Sequence, residues 1–356
     1  MIKRILLILF GTVSVLLLAS CGDSNVFDCE AELVTPENEL TLDGEEVLLK
    51  GGPLIGGILD IQVVDSFLVV KASTKESQDF LYVYSIGGGD FAGSFVTEGR
   101  GENELLMPVY GNTYRDPQGR DMLYLFDLSL CKSFGFDVGQ SVAEGKTVLH
   151  KLGSMPSSTL YANPISDSLH FARYPQPDCI AGDLFDNNGT VIEKTAVYPA
   201  LSGYDYFDML TSADAVFPGS KTIAMAMLKL PQVNILNTET GERHTVAVNE
   251  SYRKWKKIIN YEVQPLYYYY MGATASERNL FALYYEVPIT DWAKGDFTAS
   301  LHIFDIEGNF IRAAAFDEQI KAITYDTRTG ILYGADQNDR IFRYDLSDLF
   351  RSATLQ

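Results

Sequence analysis

The chain has 356 residues, a formal net charge of -19, and 46% hydrophobic, 12% aromatic and 21% charged residues. That balance describes a folded globular protein and excludes a disordered or collagen-like one. With 28 Lys and Arg against 47 Asp and Glu, the long-range field repels phosphate backbones and argues against a nucleic-acid partner.

In chain order, residues 1–20 read as an export signal. Lys3 and Arg4 precede an apolar or small run from Ile5 to Leu18, too short for the roughly 20 residues of a spanning helix. The run ends in Leu18-Ala19-Ser20-Cys21, which resembles the lipobox of bacterial lipoproteins. The resemblance implies that the Cys21 thiol takes a diacylglyceryl thioether and becomes the mature N-terminus, so the protein is attached to a membrane without spanning it. A cleavable signal with a chance cysteine is the alternative. The expected location is the bacterial cell envelope, at the outer membrane.

Residues 21–38 carry Asp23, Asp28, Glu30, Glu32 and Glu37 with few apolar side chains, and are expected to form a solvated acidic tether to a folded domain over residues 39–356. Cys29, Cys131 and Cys179 remain. Outside the cytoplasm they allow one disulfide plus a free thiol, or three unpaired cysteines. No Cys/His spacing points to zinc, and no cofactor is expected.

Beyond the tether the chain reads as short strands rich in Tyr, Phe, Val and Ile, separated by Gly, Asp and Asn turns. One element recurs: a strand ending in an aromatic or aliphatic residue, a small polar residue, then Gly or Asp. It appears at Tyr84-Ser85, Phe136-Asp137, Phe185-Asp186, Leu236-Asn237, Phe304-Asp305 and Tyr344-Asp345, at intervals of 52, 49, 51, 68 and 40 residues. Such a period suits four-stranded propeller blades. A further strand follows each of the first five copies, at Phe91–Thr97, Lys146–Leu152, Val191–Tyr198, Arg243–Val248 and Ile311–Phe316. None follows the sixth, whereas Val47-Leu48-Leu49 is left over before the first. The expected fold is therefore all-β: a six-bladed β-propeller of four-stranded antiparallel blades, closed by an N-terminal strand paired with Arg340–Asp345.

The last repeat, from Ile323-Thr324-Tyr325-Asp326 through Gly330-Ile331-Leu332-Tyr333-Gly334-Ala335-Asp336 to Ile341-Phe342-Arg343-Tyr344-Asp345, resembles the closing blade of TolB-like six-bladed propeller lipoproteins. Gly99-Arg100-Gly101-Glu102 is similar to their Gly-Arg-Gly-x-Gly-Glu turn, with Asn103-Glu104 where that pattern has Gly-Glu. The resemblance implies architecture rather than activity.

No nucleophile elbow, zinc-binding helix, P-loop or EF-hand motif occurs. Gly87-Gly88-Gly89-Asp90 leads into a strand and reads as a hairpin rather than a dinucleotide loop. His150, His170, His244 and His302 fall in four different repeats, which argues against a His-based catalytic or metal cluster. The repeated Asp and Asn residues read as turn caps rather than metal ligands. Tyr267–Tyr270 reads as core packing, with two rings on each face of a strand.

Propeller topology gives the functional expectation. Loops between second and third strands, and between one blade and the next, share a face. That face collects the insertions 249–261 and 287–299, holding Trp255 and Trp292, together with the Arg100–Glu102 turn and Tyr174–Asp178. The basic run Tyr252-Arg253-Lys254-Trp255-Lys256-Lys257 stands out on an acidic protein. The expectation is a non-catalytic recognition lipoprotein that binds a glycan, peptide or envelope protein through Arg100, Glu102, Tyr174, Tyr252, Lys254, Trp255 and Trp292. A structural role for these lysines and indoles, sealing the insertion onto its blade, is the competing reading. Two other functions compete: a polysaccharide hydrolase or lyase, needing converging groups near Asp60, Arg115, Asp167, Asp214 and Thr274 on the innermost strands, and a scaffold subunit of a membrane complex.

Overall fold

The computed structural model describes residues 25–73, 77–199 and 209–351. Its strands form six sheets of chain-consecutive antiparallel meanders, the blades of a β-propeller. Blade one comprises Gly56–Val64, Phe67–Ser73, Asp79–Ser85 and Phe91–Thr97. Blade two comprises Pro108–Arg115, Asp121–Asp127, Lys132–Phe136 and Leu149–Ser154. In blade three, Tyr161–Pro164, Leu169–Pro175 and Cys179–Asp186 are followed by an outer strand broken into Val191–Glu193 and Ala196–Pro199. Blade four comprises Ser212–Val216, Thr222–Met227, Gln232–Asn237 and Arg243–Ala247. Blade five comprises Tyr267–Ala275, Asn279–Pro288, Ser300–Asp305 and Phe310–Phe316. Blade six has Ile320–Asp326, Ile331–Asp336 and Ile341–Asp345 of its own. First strands of neighbouring blades lie side by side around the axis, and apolar clusters fill the gaps between sheets.

The repeated motif sits at the end of every third strand and works as a turn former. Asp186 Oδ1 accepts from the amides of Asn188 and Thr190, both at 2.8 Å, and Gly189 follows at φ +78°. Asn237 Oδ1 likewise accepts the Glu239 and Thr240 amides ahead of Gly241, and Asp305 Oδ1 accepts the Asn309 amide just after Gly308. In blade two Asp137 instead caps the helix Val138–Glu144 through the Gln140 amide, which delays the outer strand to Leu149. Gly87–Asp90 forms the expected hairpin, with Ser85 N donating to Asp90 O at 2.9 Å.

The ring closes through the N-terminus. Glu45–Val47 pairs antiparallel with blade six, Val47 opposite Ile341 and Glu45 opposite Arg343, whose guanidinium donates twice to Glu45 Oε2 at 2.9 and 2.6 Å. The closing strand ends at Val47, leaving Leu48 exposed. After blade six the described residues end in the short helix Ser347–Arg351.

Residues 25–38 are not a solvated tether. Ala31–Leu33 pairs parallel with the outer strand of blade four and Asn38–Leu42 with that of blade five, so the N-terminal segment straps three consecutive blades. Composition misleads here because the acids Asp28, Glu30, Glu32 and Glu37 all point outward while Val26 and Phe27 are completely buried. The unpaired edge amides of the blades supply the partners. Residues 1–20 and Cys21 lie outside the described residues. Cys29, Cys131 and Cys179 are unpaired, on blades four, two and three.

Tyr267–Tyr270 packs in the core, but register shifts after Tyr268 and after Tyr270 break the alternation. Tyr267, Tyr269 and Tyr270 turn toward blade four and Tyr268 alone toward the other side, rather than two to each face.

Candidate functional site

Meander topology places the hairpins joining first to second strands on one face, the hairpin face, and the blade-to-blade linkers on the opposite, linker face. The insertions 249–261 and 287–299 connect elements on the linker face, as do the Arg100–Glu102 turn and the loop after Tyr174. Their side chains do not assemble an aromatic surface. Trp255 is 7% exposed at the start of the helix Trp255–Ile259, in the same apolar cluster as Ile258 and Ile259, and Tyr252 is buried beside it. Trp255, Ile258 and Ile259, at i, i+3 and i+4, form the inward face of the helix, leaving Lys256, Lys257 and the preceding Lys254 outward. Trp292 is half-buried, edge-on to Tyr268 at 5.5 Å and stacked on Phe297 at 6.0 Å. Tyr174 is buried and donates to Asp183. Only Arg100, Glu102 and Lys254 of the expected set stand exposed. In the Arg100 turn, Asn103 takes a left-handed φ of +65°, and Glu104 Oε2 accepts the Gly101 amide at 2.7 Å. Asn103 thus adopts a conformation that suits glycine.

The hairpin face carries a cavity of about 740 Å³ at the mouth of the central channel, lined by all six blades. Its wall holds five carboxylates, Asp65, Asp121, Asp167, Glu277 and Asp326, and three guanidinium groups, Arg115, Arg278 and Arg328. Arg328 joins blade six to blade one, donating to Asp65 at 2.8 Å and to Asp326 at 3.1 Å. Arg115 pairs with Asp121 at 3.1 Å. Among the described residues the side chains of Asp167, Glu277 and Arg278 make no hydrogen bond or ion pair, so three charged groups remain to engage a ligand. Gln62, Asn112, Ser166 and Thr274 add amide and hydroxyl groups.

At the base of the mouth, polar side chains of the inner strands form a collar. Asn112 Nδ2 donates to Asn163 Oδ1 at 2.9 Å, and Asn163 Nδ2 to Asp214 Oδ2 at 3.3 Å. On the other side of the ring Thr274 Oγ1 accepts the Tyr325 amide, and Thr324 Oγ1 the Val63 amide. Asp214 is held by fully buried Arg173, 2.9 Å from both carboxylate oxygens, and by Ser212. Burial pushes the Asp214 carboxyl up while Arg173, Ser212 and Asn163 pull it back. The Arg173 guanidinium also lies 4.1 Å over the Tyr161 ring.

Two residues below Gln62 and Asn112 on the same strands come Asp60 and Tyr110. Burial raises the Asp60 carboxyl to about 6, partly offset by Lys71, which sits opposite it in register. Burial lowers the Lys71 ammonium, which donates to Pro108 O at 2.7 Å and lies 5.9 Å over the Tyr110 ring. The Tyr110 hydroxyl is buried without a partner.

Of the inner-strand residues named from sequence, Arg115, Asp167 and Thr274 line the mouth, and Asp214 sits in the collar. Asn112, Asn163, Arg173, Lys71 and Arg328 were not singled out by sequence. A signal existed: the hydrogen-bonded pairs Asn112–Asn163, Asn163–Asp214 and Thr274–Tyr325 are each separated by 51 residues, close to the blade repeat. The four histidines lie in blades two to five and none lines the cavity. Burial holds His302 down to about 3, stacked 4.1 Å from Tyr284. Among the described residues no cluster of three His, Cys, Asp or Glu is placed to hold a metal, and no helix is long and apolar enough to cross a membrane.

The chain is thus a six-bladed β-propeller with a polar channel mouth. No protein-family model and no curated protein matches it. Among solved structures, a chain in the crystal structure of a mitotic checkpoint complex is similar at 12% identity and a TM-score of 0.46, over 90% of this chain and 100% of that one.

Proposed function

We propose that the chain is a lipoprotein of the TolB-like propeller kind, held at the bacterial outer membrane by acylated Cys21, that recognises a saccharide at the channel mouth without transforming it. The mouth cavity carries this reading: it is concave, draws on all six blades, and presents Asp167, Glu277 and Arg278 with no hydrogen bond or ion pair among the described residues. Saccharide hydroxyls donate and accept at once, which suits a wall that mixes carboxylates, guanidinium groups, amides and hydroxyls. The excess of carboxylates disfavours a polyanionic ligand.

Calorimetric titration with neutral envelope oligosaccharides and with peptides tests the reading. Asp167→Ala combined with Arg278→Ala should weaken saccharide binding at least tenfold at an unchanged melting temperature, and Lys254→Ala on the linker face should leave it intact. Binding of peptides alone, or undiminished saccharide binding by the double variant, refutes it.

One observation favours a second reading, a polysaccharide hydrolase or lyase. Asp60, raised to about 6 beneath the cavity beside Lys71 and Tyr110, is shifted toward the range in which a carboxyl can exchange a proton near neutral pH. Product release from an oligosaccharide, abolished by Asp60→Asn, would establish that reading over simple binding.

A further inference from the structure

The strap fixes where the chain leaves the propeller. Phe27 is completely buried, its ring 5.9 Å from Tyr198 of blade three, with the Arg243 guanidinium 5.1 Å over it. Arg243 Nη1 donates to Phe27 O at 2.9 Å, and its other arm donates to Ala196 O. Asn25 Oδ1 accepts the Phe27 amide at 2.7 Å, and Cys29 Sγ lies 3.2 Å from Thr245 Oγ1. The chain is therefore anchored to the fold from Asn25 onward, on the outer circumference where blades three and four meet.

Resting on the reading that Cys21 is acylated, this leaves four residue steps between lipid and fixed point, at most about 14 Å when extended. A domain of this length is roughly 50 Å across. The leash is too short for the far side of the ring to reach the bilayer. We infer that the outer edge of blades three and four lies against the lipid surface and that blades one and six face away from it. Ile192 on the outer strand of blade three is 57% exposed and Leu33 on the strap 40%. Both are aliphatic side chains able to enter a headgroup layer, and Lys194 stands exposed two residues from Ile192. Asp28, Glu30 and Glu32 point outward on the same segment, so the acyl chains rather than charge attraction hold the edge down.

Photo-crosslinking of the full acylated protein in phosphatidylethanolamine vesicles with a minor phosphatidylglycerol fraction tests this. A benzophenone amino acid replaces Ile192, Leu33 or Asp90 in turn, Asp90 lying where blade one meets the segment after the closing strand. Lipid adducts, read by intact mass, should form severalfold more at positions 192 and 33 than at 90. Inserting about 20 Gly and Ser residues between Ser24 and Asn25, with a root-mean-square span of roughly 25 Å, should reduce the yield at 192 to that at 90. Equal yields in acylated protein, or a yield at 192 that survives the insertion, overturn the edge assignment alone. A mature protein lacking the diacylglyceryl mass overturns the anchor and the inference with it.

Discussion

Replacing Phe27 by alanine should release the beginning of the strap before it unfolds the ring. Truncating a fully buried phenylalanine costs about 3–5 kcal/mol, here including the ring's contact with the Arg243 guanidinium. Against that stand the three-residue parallel pairing of Ala31–Leu33 and the Val34 amide bonded to Ala247 O at 2.9 Å, each hydrogen bond contributing about 1 kcal/mol net. With buried Val26 as a further anchor, the loss is a large part of what holds this stretch, so residues 25–34 should open far more often while Asn38–Leu42 and Glu45–Val47 stay paired to blades five and six. At about 1.4 kcal/mol per decade, hydrogen exchange of the Ala31–Val34 amides should accelerate roughly 100- to 4000-fold. Exchange in Ile341–Asp345 should change little. Unaltered protection at 31–34 would refute the anchoring role of Phe27. A uniform loss through all blades would show that the strap and the ring are one cooperative unit.

Asp60 should impose a pH dependence on stability. Its carboxyl rises from 3.8 to about 6 on folding, so the folded state favours the protonated form. The cost of ionising it is absent below about pH 4, grows through pH 6, and reaches at most ~3 kcal/mol, less after screening by channel water. The stability of Asp60→Asn relative to wild type should therefore rise between pH 4 and 6 in urea titrations, and a flat difference would contradict the burial. Trp255→Ala should cost about 3–5 kcal/mol and lower the melting temperature, because the indole is buried. A melt like wild type would return Trp255 to the surface and revive an aromatic linker face. Trp292→Ala, half-buried, should cost less in the same assay.

The amino-acid sequence alone determined the blades. Strand alternation and the Asp or Asn turn caps act within a few residues, so Phe185-Asp186 or Phe304-Asp305 can be recognised wherever it occurs. A leftover strand before the first blade and the missing outer strand after Tyr344 were legible for a related reason, that a sheet edge needs a partner, although the sequence put that strand at Val47–Leu49 and the pairing runs over Glu45–Val47. Tertiary structure decided the rest. An acidic segment became a strap because two blade edges offered amides and an interblade gap took Phe27, neither of which is local in sequence. Trp255 turned inward because its helix had an apolar gap to cover, and Tyr267–Tyr270 split three to one because of shifts in the pairing register. The channel mouth gathers one hairpin from each of six blades, so Asp167, Glu277 and Arg278 become neighbours of one cavity only when the ring is shut.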